Sequence, residues 1–439
     1  MTAPVTVTTG LDRGQAIRLF AVFAFAYFFS ALVRAVTATL APVFSKELDL
    51  AASQLGLLAG AYFLGFSVVQ LPLGSALDRW GARRVLLVFL AAAVVGCIGF
   101  AAATDLTELL LARLLVGAGL GACLMAPLTS FRHRLTAAAQ LQANAWLLMT
   151  GSFGMLASTL PVQWLLPLLG WRGLFVAVAG LLVLAMAMIA WVVPGDRPRF
   201  DGSAGHGAAA DPAQVAEPGE PRLVPVPLGY RAVFSHPAFI RVAPLGFVAY
   251  GGLIALQSLW IGPWLTEVTG RSADGAARGL FVVNLAMLLA FLCWGLVMPR
   301  LTRSAWAGER LIATLWPLAV LSGGLIAALG EQAPAGLWAL WCVASSVVSL
   351  SQPALAQAFP AALAGRALSA FNLVIFAGVF VVQWCLGLLI DLLQASGLPK
   401  SQAFRLAFAT FIVTTALSFL WLNLLCWRDA RAGQPPGAP

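Results

Sequence analysis

Apolar residues in this chain lie in runs of roughly 20 residues or more, and short polar connections separate the runs. A run of this length predicts a membrane-spanning helix, because about 20 helical residues cross a hydrocarbon core of about 30 Å. The pattern predicts twelve spans, approximately at 17–43, 53–77, 84–103, 108–130, 141–165, 172–193, 239–266, 276–298, 309–329, 335–358, 369–391 and 403–427.

Composition supports the same class of protein. Of the 439 residues, 61% are hydrophobic and 10% are charged, whereas about a quarter of a soluble chain is charged. The net charge is +9, and most arginines lie in alternate connections. The positive-inside rule then places both termini in the cytoplasm. The basic charge is thus a sign of topology, and we expect contact with the lipid bilayer and none with nucleic acid.

Cysteine and histidine positions argue against a metal site or an enzyme. The six cysteines are scattered through apolar segments without a CxxC spacing, and the three histidines all fall in connections. We therefore expect no metal, no cofactor and no catalytic residue. A membrane-embedded enzyme or sensor remains a remote alternative, but a sensor would usually carry a soluble output domain.

A polar stretch at 194–237, rich in Gly, Ala, Pro and charge, divides the chain into two halves. It predicts a flexible cytoplasmic linker with a short interfacial helix at 230–236. The linker separates an N-terminal six-helix bundle (1–193) from a C-terminal one (238–430), and 431–439 is a cytoplasmic tail. The halves look like distant repeats, in which Arg34 matches Gln257 and Asn144 matches Asn372.

The connection between spans 2 and 3 carries the strongest motif, GSALDRWGARR at 74–84. It resembles the GxLaDRxGRR signature of the major facilitator superfamily. Gly74 would permit close helix approach, Gly81 a tight turn, and Asp78 can pair with arginines or a helix N-terminus. The resemblance implies a loop that latches the two halves in one access state, with basic members Arg79, Arg83 and Arg84. An ordinary positive-inside loop is the alternative.

Span 4 carries a second motif, RLLVGAGLG, which begins at Arg113 and resembles the RxxxGxG pattern of the same superfamily. The resemblance implies that Arg113 assists coupling or conformational switching. The alternative is an arginine that snorkels to the nearby membrane surface. Gly117 and Gly121 form a small face for helix packing. In the second half, the loop equivalent to the first motif is degenerate, since Pro299 replaces its aspartate.

Arg34 is the residue that points to a ligand. It lies inside the apolar run from Ile17 to Phe44, and the nearest acidic residues, Asp12 and Glu47, lie outside the run. A charge at bilayer depth normally faces a polar cavity or a partner, and a guanidinium cannot lose its charge. Its planar fork suits a carboxylate or phosphate. We favour an anionic substrate over a structural role in which Arg34 bonds backbone carbonyls.

Polar and aromatic residues at helical spacing mark a candidate substrate path. Tyr27, Ser30 and Thr37 share one helix face with Arg34. By resemblance to the superfamily, spans 1, 4, 7 and 10 line the central path. Further candidates for substrate contact are Gln257, Trp260, Asn284, Ser349 and Gln383. For any uncharged member, hydrogen bonding between helices is at least as well supported as ligand contact.

The sequence therefore predicts an all-α membrane protein with twelve transmembrane helices in two pseudo-symmetric six-helix bundles. The resemblance implies a monomeric, multi-pass secondary transporter of a bacterial inner membrane, working by alternating access. We expect its substrate to be a small organic anion or amphipathic metabolite, and favour uptake. Multidrug or metabolite efflux is the main alternative. Since no carboxylate lies mid-span, coupling could use a proton on the substrate or on Asp391, or exchange of a counter-anion.

Overall fold

A computed structural model describes residues 12–195, 230–301 and 308–431, and these residues are almost entirely helical. The first half contains seven helices: α1 (Arg13–Glu47), α2 (Ala52–Val68), α3 (Gln70–Ala102), α4 (Leu106–Leu120), α5 (Ala122–Arg134), α6 (Ala137–Ala157) and α7 (Leu160–Val192). Local signals explain where several begin. The Asp105 carboxylate accepts a hydrogen bond from the Glu108 N–H at 2.8 Å, a standard N-cap for α4.

The second half is less regular. Its α-helices are α8 (Tyr230–Phe234), α9 (Pro237–Pro244), α10 (Gly251–Ala255), α11 (Ile261–Pro263), α12 (Ala273–Leu301), α13 (Gly308–Leu329), α14 (Ala335–Ser345), α15 (Ser351–Gln357), α16 (Ala361–Ala395) and α17 (Lys400–Arg431). The predicted span 7 is one continuous helix, Pro237–Val268, in which π-helical and α-helical segments alternate. The three π-helical segments are Leu245–Tyr250, Leu256–Trp260 and Trp264–Val268.

Within the described residues, ten helices are long and apolar enough to cross a membrane, against twelve predicted spans. The predicted spans without a counterpart among the ten are spans 2 and 5. Span 2 is divided between α2, which has 17 residues, and the start of α3, and span 5 is divided between α6 and the start of α7. Gly81 (φ 77°, ψ 162°) and Gly170 (φ 63°, ψ 171°) mark the points inside α3 and α7 where the chain turns from one predicted span into the next. The count of twelve stays a prediction.

The molecule has two opposite ends, which are named here after Glu47 and Asp78. At the Glu47 end, the Arg172 side chain pairs with Glu47 and donates a hydrogen bond to the Ala103 carbonyl. At the Asp78 end, Arg83 donates to the Ala190 carbonyl. The helical segment from 82 to 102 separates these two ends. Residues 196–229 of the predicted linker lie outside the described residues. Within the predicted short helix at 230–236, residues 230–234 form α8, and its position at the membrane interface stays a prediction.

Glycines bring the two halves into backbone contact near the Glu47 end. A Cβ atom on Gly56 of α2 would lie 2.3 Å from the Gln383 carbonyl oxygen of α16. On Gly387 it would lie 2.3 Å from the Ala52 oxygen, and on Gly262 it would lie 2.1 Å from the Ala38 oxygen. Helices in lipid associate through such small residues, because they let backbones approach closely. The Glu47 end is therefore tightly closed.

The predicted glycine face of span 4 is also in close contact, but Gly74 is not. A Cβ on Gly117 would lie 1.9 Å from the Tyr62 oxygen, and one on Gly121 would lie 2.7 Å from the Val69 side chain. Nothing lies within 4 Å of a Cβ built on Gly74, so the close helix approach expected there is not present in this state.

Substitution of Gly117 tests this packing. We expect Gly117→Ala to destabilise the protein by about 1–3 kcal/mol, because α4 and α2 must separate to admit the methyl group. The measurement is the thermal unfolding of detergent-purified protein. Gly180→Ala is the matched control, since a Cβ there meets nothing within 4 Å. Equal melting temperatures for the two variants would contradict the packing argument.

Candidate functional site

Arg34 lies at the middle of α1 and is partly buried. Its Nη2 atom contacts the Met155 sulfur of α6 at 4.0 Å. Within residues 12–195, 230–301 and 308–431, no carboxylate pairs with it, and the ion pairs found there involve other arginines and a lysine. The thioether is a weak acceptor and does not balance a full positive charge. The guanidinium therefore keeps capacity to bind an anion.

Three of the four tyrosines in the chain are related to Arg34, two by electrostatic interaction and one by its position on the same helix. The guanidinium interacts electrostatically with the hydroxyl groups of Tyr62 on α2 and Tyr250 on span 7. Tyr250 in turn interacts with Tyr27, which lies two helical turns before Arg34 on the same face. Tyr250 belongs to the second half and the other residues to the first. The cluster, called here the Arg34–tyrosine cluster, therefore lies where the two halves meet.

Arg113 is the more deeply buried arginine, with only 1% of its surface exposed. Its Nη2 atom donates to the Val33 carbonyl at 3.1 Å and to the Thr37 hydroxyl of α1. Its Cζ atom lies 5.2 Å from the Tyr62 ring centroid and 5.8 Å from that of Phe100. The aromatic faces partly replace hydration of the cation. An arginine held in this way does not snorkel to the surface, so that alternative is wrong.

Tyr62 connects the two arginines. Its ring face packs against Arg113, and its hydroxyl group feels the charge of Arg34. The hydroxyl is buried beside Ser30, and the buried Nε and Nη1 atoms of Arg113 have no hydrogen-bond partner within the described residues. Unpaired buried polar atoms are costly, and they mark sites where a proton, an ion or a rearrangement supplies the missing partner.

Most uncharged residues predicted to contact substrate are already hydrogen-bonded to the protein. Ser30 donates to the Leu120 carbonyl at 3.5 Å, and Thr37 accepts from Arg113. The Gln257 amide donates to the Asn284 side chain at 3.0 Å. The Gln383 amide donates to the Ser258 hydroxyl at 3.0 Å and to the Ala255 carbonyl at 3.3 Å. Their role as substrate contacts stays a prediction, and the bonds between helices give each of them a structural role.

Trp260 lies elsewhere, at a cavity of about 280 Å³ near the Glu47 end. Its indole N–H donates to the Gln383 backbone carbonyl at 3.2 Å. The polar side chains of this cavity include Glu267, Asp391 and Lys400. Ser349 is partly buried in the 3₁₀ segment Ser346–Leu350. These two predicted contacts are not in the Arg34–tyrosine cluster.

The loop with the GSALDRWGARR motif has the geometry that its glycine predicts. Gly81 adopts a positive φ of 77°, which a residue with a side chain rarely adopts. Asp78, Arg79 and Arg84 are exposed, and the Arg79 guanidinium lies 5.6 Å from the Trp80 ring centroid. Within the part of the chain that the structure describes, Arg83 is the basic side chain of this loop that reaches another span, where it bonds the Ala190 carbonyl of α7. The bond joins two helices of the same half.

The sequence profile of the Major Facilitator Superfamily matches residues 23–383, which is most of the chain. The chain belongs to the major facilitator superfamily. It is a multi-pass membrane transporter with the all-α fold of that family. The family match covers both halves and includes Arg34, the motif loop and Arg113.

Bacterial superfamily relatives resemble the chain at 26–30% identity. A triacylglyceride transporter of Mycobacteroides abscessus is 30% identical over 52% of this chain and 46% of its own length, so the chain spans about half of that relative. The inner membrane transport protein YdhP of Escherichia coli O157:H7 is 28% identical over 75% of this chain and 84% of its own length. A gallate transporter of Pseudomonas putida is 26% identical over 59% of this chain and 61% of its own length.

Solved structures confirm the fold at low sequence identity. A bacterial homologue of the human lysosomal transporter Spinster gives a TM-score of 0.71 at 16% identity, over 94% of this chain and 98% of that one. The POT family transporter PepTSo gives a TM-score of 0.72 at 15% identity, over 96% of this chain and 99% of that one. Superfamily members with little sequence in common thus share this architecture.

Tyr62 was absent from the residues predicted from sequence to line the substrate path. Tyr62 lies on span 2, outside the spans expected to line the path, and only the folded chain brings it beside Arg34. A usable signal was the scarcity of tyrosine, since three of four tyrosines lie inside apolar runs. Asp391 was noted only as a possible proton site, whereas its side chain bonds the first half of the protein.

Replacement of Arg113 tests its role as a link between helices. We expect Arg113→Lys to lower the free energy of unfolding by roughly 2 kcal/mol or more, because an ammonium cannot keep both bonds to α1 while packed among aromatic faces. Thermal unfolding in detergent measures the effect. Arg278→Lys is the control, because Arg278 is exposed and pairs with Asp274 four residues away, and it should stay within about 0.5 kcal/mol. Equal loss in both variants would refute the assigned role.

Proposed function

We propose that this protein is a secondary transporter of a small organic anion with an apolar body. The observation that supports the proposal is the Arg34–tyrosine cluster. It holds a cation without a carboxylate partner in the described chain, next to phenol hydroxyl groups, where the two halves meet. Arginine and tyrosine can both donate hydrogen bonds to an anion, and the tyrosine rings offer apolar surface.

The relatives support an anionic substrate without deciding it. One is named a gallate transporter, and gallate is an aromatic carboxylate at neutral pH. Another is named a triacylglyceride transporter, and that substrate is a neutral lipid. The charge at Arg34 favours the first chemistry, because a neutral lipid would leave the guanidinium without a counter-charge in a region of low dielectric.

Alternating access between two six-helix bundles is the mechanism proposed for transport. In this state, glycine contacts close the Glu47 end. By the positive-inside rule, that end faces the periplasm, and both termini face the cytoplasm. Arg34 would bind the anionic group, and the negative charge of the substrate would reduce the electrostatic free-energy cost of burying Arg34 and Arg113.

We propose no enzymatic activity, no cofactor and a monomeric transporter. Proton or counter-anion coupling is left to experiment.

The principal test replaces Arg34 by a neutral residue and asks whether the protein still binds anions. We expect aromatic carboxylates such as benzoate or gallate to raise the melting temperature of the purified wild type, and their neutral amides to leave it unchanged. Arg34→Gln should remove the carboxylate effect, since the guanidinium supplies the charge-assisted bonds. Transport of the same compounds into proteoliposomes should fall to background.

Arg278→Gln serves as the control, because it removes an exposed arginine far from α1 in sequence and should preserve both effects. The runner-up function, multidrug or metabolite efflux, predicts that Arg34→Ala still transports neutral or cationic compounds. Stabilisation by amides as strong as by carboxylates would exclude the anion proposal. Lipid hydrolysis by the purified protein would exclude transport as its sole activity.

The hydroxyl of Tyr250 gives an independent test of the cluster. We expect Tyr250→Phe to raise the KM for the anion about 3- to 10-fold with little change in kcat, as expected when one uniform binding hydrogen bond is lost. Uptake kinetics in proteoliposomes measure both constants. Tyr230→Phe is the matched control, because Tyr230 is the one tyrosine outside the cluster and lies on α8. A similar change in both variants would contradict the role of Tyr250.

A further inference from the structure

Asp391 joins the two halves of the protein at the Glu47 end. It lies in the last two turns of α16, which belongs to the second half. Its Oδ1 atom accepts a hydrogen bond from the Ala52 N–H at 3.0 Å, and its Oδ2 atom accepts one from the Ser53 N–H at 2.8 Å. Both donors lie in the first turn of α2, in the first half. The carboxylate therefore uses both oxygens across the boundary between halves.

This contact is favourable for a charged carboxylate in particular. The first N–H groups of a helix have no partner inside the helix, and together they form the positive end of its dipole. In α2, the Gln54 side chain accepts from the Ala51 N–H at 2.9 Å. The next two N–H groups, those of Ala52 and Ser53, donate to Asp391. The free N–H groups at the start of α2 thus find their hydrogen-bond acceptor in a charged residue from the other half.

The bond forms only when the two helices touch. Gly387 lies one turn before Asp391, and a Cβ there would lie 2.3 Å from the Ala52 oxygen. Gly56 makes the equivalent close contact one turn further along α2. If the halves separate at this end, as alternating access requires, the Ala52 and Ser53 donors leave the carboxylate together with the glycine contacts.

A neighbouring carboxylate lacks this property. Glu267 lines the same cavity as Asp391, but it pairs with Lys400 at 2.9 Å. Glu267 belongs to span 7 and Lys400 to α17, so both partners lie in the second half. Separation of the halves leaves that ion pair intact. Of these two carboxylates, only Asp391 loses its interactions with its partners when the Glu47 end opens.

We propose that Asp391 is a conformational-switch residue, a latch that holds the Glu47 end closed by binding the N-terminus of α2. It acts at the end opposite to the GSALDRWGARR loop and is supplied by the second half, whose own loop lacks the corresponding aspartate because Pro299 replaces it. The latch does not depend on which substrate is carried. It stabilises the closed state, and opening requires that the carboxylate exchange two backbone donors for water.

The test measures the opening of this end directly. Spin labels at Lys46 and Ala395, both exposed and on different halves, report the distance across the Glu47 end in a cysteine-free background. In Asp391→Asn, we expect the ratio of open to closed molecules to rise about tenfold, as for loss of a charge-assisted bond. Glu267→Gln, an isosteric loss of a carboxylate in the same cavity, should leave the distribution unchanged.

A second variant removes the other side of the latch. Ala52→Pro deletes one donor at the first helical position, where proline is well tolerated and the preceding residue is already extended (ψ 161°). It should shift the ratio in the same direction as Asp391→Asn. The double variant should shift it little further, because the two residues act through one contact. If Asp391→Asn fails to fold, the comparison of Ala52→Pro with Glu267→Gln still decides the question.

The outcomes separate a latch from a simple helix cap. Unchanged distances in folded Asp391→Asn and Ala52→Pro, even with a lower melting temperature, would show that the contact only caps α2. Fully additive shifts in the double variant, or an equal shift in Glu267→Gln, would also overturn the proposal. Failure of anion binding in the wild type would refute the proposed substrate class and leave these distances unaffected.

Discussion

The burial of positive charge inside the first half is the constraint on which much of this structure depends. Lipid cannot solvate a guanidinium, so Arg113 must find its partners within the protein. It bonds α1 through Val33 and Thr37 and packs against rings from α2 and α3. One side chain thereby determines how four helices meet. The close contact of Gly117 with the Tyr62 backbone fits this arrangement, because only a glycine lets α4 approach α2 so closely.

Arg34 experiences the same constraint with a different outcome. It lies between Val33 and the turn that carries Thr37, so the partners of Arg113 are its immediate neighbours on α1. Its own surroundings are tyrosine hydroxyl groups and a thioether, which can orient a guanidinium but cannot neutralise it. Arg113 is held by a backbone carbonyl, a hydroxyl group and aromatic rings, whereas Arg34 contacts only a thioether among the described residues. This difference fits the proposed anionic substrate. Tyr62 relates the two positions, since its ring packs against Arg113 and its hydroxyl group interacts electrostatically with Arg34.

The boundary between the halves combines two kinds of interaction. Glycine contacts between α2 and α16, and between span 7 and α1, are short-ranged and apolar. The Asp391 bonds to the first turn of α2 are polar and directional. Glycine packing alone would leave the first N–H groups of α2 without hydrogen-bond acceptors, and the carboxylate alone would not bring the two backbones into contact. In span 7, the π-helical segments that contain Tyr250, Gln257 and Trp264 lie beside this boundary, in the geometry that often marks functional sites in helices.

Much of the architecture was determined by sequence alone. Long apolar runs predict membrane helices because each must satisfy its own backbone in lipid, and the motif loop with Gly81 identified the superfamily. The conspicuous charge at Arg34 was also visible, since no acid lies nearby in sequence. Helix ends were less predictable: α3 and α7 each begin within one predicted span and continue into the next, and a glycine with positive φ, Gly81 or Gly170, marks the turn between the two parts.

Only the tertiary structure decided which polar residues find each other. Gln257 and Gln383 were predicted to face a substrate, yet their amides bond Asn284 and Ser258, since a polar group in a bundle takes the nearest partner that packing supplies. Snorkelling to the membrane surface was the alternative considered for Arg113, but neighbouring helices enclose this side chain. The pairing of Asp391 with α2 joins residues more than 300 positions apart. Hydropathy reports how deep a residue lies, whereas helix rotation and the contact between halves determine what it meets.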